Sequence, residues 1–131
     1  MAPRPSSVLV LDDAAVPAVL ASNSHVVIHR AGGFLQAAAL LASQRPRWVV
    51  MRPERAWHRR FVLTLPATSR PAILSVGRAR CDIADGWVDD CLTPEDAALA
   101  LDSAEQRAEL RRLRATVAPA RPERAEVLGA A

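Results

Sequence analysis

Short runs of β-branched and aliphatic residues recur along this chain at intervals of roughly 20 residues, each followed by a stretch of helical composition, and this alternation constrains the fold most. The runs are residues 7–11 (SVLVL), 25–29 (HVVIH), 47–51 (RWVVM) and 72–76 (AILSV), with a weaker fifth at residues 89–92. Between them, residues 14–21 predict a helix with Pro17 in its first turn, where a missing N–H costs little. Residues 34–44 predict a second helix, and residues 55–65 a third, with Trp57, Phe61 and Leu65 on one face at four-residue spacing. Thr93 as N-cap, followed by Pro94, Glu95 and Asp96, opens a last helix that should run to about residue 115. The expectation is an α/β domain with right-handed βαβ crossovers: a flavodoxin-like, doubly wound, five-stranded parallel sheet of order 2-1-3-4-5. It should span residues 1–117, leaving residues 118–131, with Pro119 and Pro122, as a C-terminal tail.

Composition narrows the class. The chain has 131 residues, half of them hydrophobic, but no apolar run near the roughly 20 residues that span a bilayer. Residues 1–7 lead into an apolar stretch too short for a signal-peptide core, so a soluble, cytoplasmic protein is expected. Cys81 and Cys91 lack CxxC spacing and read as buried reduced thiols, with no metal site. A Gly-rich phosphate loop and a nucleophile elbow are both missing, which argues against an enzyme and gives no cofactor. All 17 basic residues are arginine. Residues 45–80 hold nine arginines against the single acid Glu54, whereas residues 82–105 hold eight acids and no arginine, so the two segments are expected to neutralise each other.

In doubly wound folds ligands sit beyond the carboxyl ends of the strands. That singles out Asp12, Asp13, Arg52, Ser75, Val76 and Thr93. Four motifs around these positions resemble the receiver domain of two-component response regulators, the CheY-like family, over about residues 7–106. VLVLDD at residues 8–13 resembles the strand-one acidic pair that helps hold magnesium, and RPRWVVMRP at residues 45–53 resembles the third strand, with Arg52 on the phosphoacceptor position. LPATSRPAILSVG at residues 65–77 resembles the approach to strand four, placing Val76, with Ser75 one residue early, where the family has a phosphate-contacting Ser or Thr. GWVDDCLTPED at residues 86–96 resembles the strand-five ending, with Thr93 at the lysine position and Asp90 where an aromatic switch residue would fall.

The resemblance implies the fold and a signalling role, but the departures imply an atypical pseudo-receiver. An arginine is neither a nucleophile nor a metal ligand, and the chain has no lysine to balance a phosphoryl group. Arg52 is expected instead to fork onto Asp12 and Asp13 as an internal ion pair. Residues 77–86 are too few for a full fourth helix and its loops, and the last helix is longer than the sheet requires. Its stripe of Leu110, Leu113 and Val117, together with Trp87, is the expected interaction surface for a protein partner or a homodimer; the alternative is a helix lying back on its own domain. His58, among Arg55, Arg59 and Arg60, reads as part of a basic helix face, and His25 and His29 as solvent or core-edge residues. The functional expectation is a phosphorylation-independent regulatory interaction module, with an Arg-rich nucleic-acid-binding module as the alternative.

Overall fold

The computed structural model describes residues 6–12, 14, 16, 18–21, 25–77, 81–88 and 93–117. Strands β1 (Ser6–Leu11), β2 (Val26–Ala31), β3 (Trp48–Met51), β4 (Ala72–Val76) and β5 (Gly86–Val88) form one parallel sheet of order β2-β1-β3-β4-β5. Helices α1 (Ala18–Ala21), α2 (Phe34–Gln44), α3 (Ala56–Thr64) and α4 (Pro94–Val117) complete it. The flavodoxin-like expectation holds in strand order and direction.

Alternate residues of the central strands enter two separate cores, as burial on both sheet faces requires. Val8, Val10, Trp48, Val50, Ala72 and Leu74 pack against Leu20 of α1 and Leu101, Ala104 and Ala108 of α4. Leu9, Leu11, Val49, Met51 and Ile73 pack on the other face against Ala37 of α2 and Phe61 and Val62 of α3. Each fully buried Val, Leu, Ile, Met or Phe contributes about 1.5–3 kcal/mol of transfer free energy, so these runs, and not local propensity, hold the layers together.

The fifth strand differs in position from the sequence expectation. It is Gly86–Val88, three residues ahead of the expected residues 89–92, which lie outside the described residues. Strand position here follows from packing: a Cβ on Gly86 would stand 2.9 Å from Cβ of Ala104, so only glycine lets α4 approach the strand this closely. Among the described residues between β4 and β5 there is no helix, so the shortened fourth helix reduces there to a turn at residues 81–85. The last helix is indeed long, 24 residues, and Thr93 caps it by accepting the Asp96 N–H at 3.1 Å.

Candidate functional site

β1 ends at Leu11, and Asp12 follows in the left-handed region (φ 54°), where Asp is better tolerated than most residues. Its amide donates to the Ala31 carbonyl at 2.7 Å, so the turn remains tied to β2. The carboxylate is met by the start of α3. The Trp57 indole Nε1–H donates to Asp12 Oδ2 at 2.8 Å, and His58 Nε2 lies 2.8 Å from the same oxygen. On the other side of the ring, His58 Nδ1 accepts the backbone N–H of Arg52 at 3.0 Å. Because Nδ1 accepts, the proton sits on Nε2 and is donated to Asp12.

His58 thus joins the end of β3 to the end of β1 through a fully buried imidazole. Burial pushes its pKa below the ordinary value, and the hydrogen bond and charge of Asp12, which act the other way, do not overcome it. For Asp12, burial raises the carboxyl, but the hydrogen bonds from His58 and Trp57, with Arg55 nearby, outweigh it and hold the pKa below the usual range. A neutral imidazole beside a carboxylate is the state that both shifts favour.

Of the expected fork of Arg52 onto Asp12 and Asp13, the described residues show no hydrogen bond or ion pair between Arg52 and Asp12, and the half that involves Asp13 lies outside them. Arg52 Nε donates to Glu54 Oε1 at 2.7 Å, while Asp12 Oδ2 already receives two N–H donors. Glu54 is held below its usual pKa by its own backbone N–H and, after a burial contribution that opposes the shift, by Arg52. Asp13 lies outside the described residues. Beside Asp12, an open depression of about 590 Å³ is framed by Arg30 and Arg55. Arg30 is itself directed onto the backbone there, donating to the Asp12 and Ala14 carbonyls at 3.1 and 3.2 Å.

The remaining sequence-derived positions are placed differently. Ser75 is fully buried next to Met51 in the sheet register, and its hydroxyl has no hydrogen-bond partner among the described residues. Val76 packs against the α4-side core, and the Thr93 hydroxyl is committed to the helix cap. His58 and Trp57 were missed as site residues, and His58 is a buried bridge and not part of a basic face. The signal was present: His58, Phe61, Val62 and Leu65 follow the i, i+3, i+4, i+7 spacing of a buried helical face, and all four are buried. Cys81, expected to be buried, is a half-buried free thiol approached by Arg59 Nη1 at 3.6 Å; Cys91 lies outside the described residues.

A second polar centre, unannounced by any motif, sits at the opposite end of the sheet. The buried Asp85 accepts the Ile73 N–H through Oδ2 at 2.8 Å and is gripped by Arg111 of α4, Nε to Oδ1 at 3.2 Å and Nη2 to Oδ2 at 2.9 Å. Arg111 also donates to the carbonyls of Ala67 and Pro71, both at 3.0 Å, and Arg107 Nη1 to that of Asp85 at 3.1 Å. The basic and acidic segments do meet: Arg47 pairs with Glu105 at 2.5 Å, and Arg59 with Asp82 at 3.4 Å.

No protein-family model matches the sequence, and no curated protein matches it. Among solved structures, the fold is similar to the signal receiver domain of a Vibrio parahaemolyticus protein, with a TM-score of 0.56 at 12% identity, covering 85% of this chain and 97% of that one. The architecture is therefore that of a receiver domain, a likeness of fold alone at this identity.

Proposed function

We propose that the protein is a regulatory signalling module of receiver fold that works through its surfaces and without phosphorylation at the acceptor position. The observation that carries this reading is the Asp12–His58–Arg52 bridge: hydrogen bonds tie together the ends of β1 and β3, where a receiver gathers metal and phosphoryl group. Among the described residues, Asp12 and Arg52 do not fit a divalent cation. Magnesium requires oxygen ligands at about 2.1 Å in near-octahedral array, whereas Asp12 Oδ2 is engaged by two N–H groups and the acceptor position carries a guanidinium. Arg52 offers no nucleophile either.

The nucleic-acid alternative draws less support, because Arg47, Arg59 and Arg111 are engaged by Glu105, Asp82 and Asp85 of the same chain. No helix among the described residues is long and apolar enough to cross a membrane. The reading predicts that the Trp57 indole N–H resonance, assigned through Trp57→Phe, stays in place when magnesium is titrated. A saturable shift of that resonance would mean that a cation competes for Asp12, and the reading would fail.

A further inference from the structure

We infer that the outer face of α4 pairs with the same face of a second copy of this chain, the two helices lying parallel and in register. This rests on reading the protein as a module that acts through its surfaces, and it specifies the partner. Leu99, Gln106 and Leu113 occupy one heptad position and Ser103, Leu110 and Val117 the other, an alternating four- and three-residue spacing over nearly three heptads. All six are exposed, the four aliphatic ones between 51% and 63%. The opposite face is spent on the domain itself, through Leu101, Ala104, Ala108 and the Arg111 clamp on Asp85. Among the described residues the helix thus has one docked face and one unpartnered apolar seam, and Trp87 of β5, 38% exposed, borders the Leu99 end of that seam.

Charge decides what covers it. The positions flanking the seam on one side are acidic, Asp102 and Glu109, and those on the other side are basic, Arg107 and Arg114, all four exposed. In a parallel pair each acid faces the flanking position five residues later in the other helix, so Asp102 meets the partner's Arg107 and Glu109 meets the partner's Arg114. An antiparallel pair would set acid against acid and arginine against arginine. The pattern is complementary to itself in a single orientation, which a foreign helix would not require. Gln106 meets its own copy only in register, the kind of polar seam residue that fixes alignment at a cost in affinity. Within one chain the competing contacts are weak, Glu109 to Arg112 at 3.1 Å across an exposed turn and Arg107 to a carbonyl.

Sedimentation of the full chain over a concentration series tests this with Glu109→Arg, Arg114→Glu and their equimolar mixture. The wild type should self-associate, each variant alone should dimerise at least about tenfold more weakly, and the mixture should recover, because the two variants complement each other only across a parallel seam. Leu113→Gln, which leaves every charge in place, should also dissociate the dimer, and thermal melting confirms that each variant folds. A wild type monomeric throughout, a Glu109→Arg chain that associates more tightly, or a mixture no better than its components would each overturn the inference. A monomer whose Trp57 resonance still ignores magnesium would remove the dimer and leave the reading of the pocket standing.

Discussion

Between Arg52 and Asp12, the ring of His58 satisfies both neighbours only while it is neutral: a proton on Nδ1 would confront the Arg52 N–H that this nitrogen now accepts. Its folded pKa lies below the ordinary 6.5, so its contribution to stability is complete above that value and is lost as pH falls toward the folded pKa. Asp12, whose folded pKa is also depressed, adds a second loss below about pH 4. Chemical denaturation across this range should show stability beginning to fall below about pH 6.5, and His58→Ala should abolish that first step while costing about 2–4 kcal/mol at neutral pH. Ser75 gives the opposite case. Its buried hydroxyl has no partner among the described residues, so Ser75→Ala should be neutral or stabilising by up to about 1 kcal/mol in the same assay, and a clear loss would reveal an essential partner for the hydroxyl. At this scale the sequence was only partly legible. Asp12 could be located from a strand ending in acids, but its partners depended on how α3 turns, and counting Trp57, Phe61 and Leu65 as the buried face hid His58.

Elements were legible wherever burial sets the pattern. β4 and α2 fall where their runs begin and end, because strands buried on both faces are continuously apolar and α2 opens after Gly32 and Gly33. β5 was displaced because its determinant is not hydrophobicity but the absence of a side chain at Gly86, against Ala104. The second half of α4 shows a related limit. Arg111 continues the buried spacing of Leu101, Ala104 and Ala108, yet as an arginine it reads as a surface residue until Asp85 and the carbonyls at the foot of the sheet are brought to it. Arg111→Ala should therefore cost about 3–5 kcal/mol in thermal or denaturant unfolding, far more than a surface arginine, because it strands a buried carboxylate. The double substitution with Asp85→Asn should recover part of the loss, which separates the stranded charge from lost packing.

For the whole molecule, topology follows from the alternation of runs, and the likeness to a receiver domain of a Vibrio parahaemolyticus protein extends over 85% of the chain. Function does not follow from that likeness, since the same architecture serves many roles and the chemistry lies in the site. Here the strand ends hold a neutral histidine, a carboxylate engaged by two donors and an arginine paired with Glu54. The long helix leaves an apolar seam turned outward. Together these move the expected function from a phosphoryl switch to the surface. Intact-mass measurement after incubation with acetyl phosphate and magnesium tests that claim most directly. The account predicts an unchanged mass, and a species heavier by one phosphoryl group would contradict it.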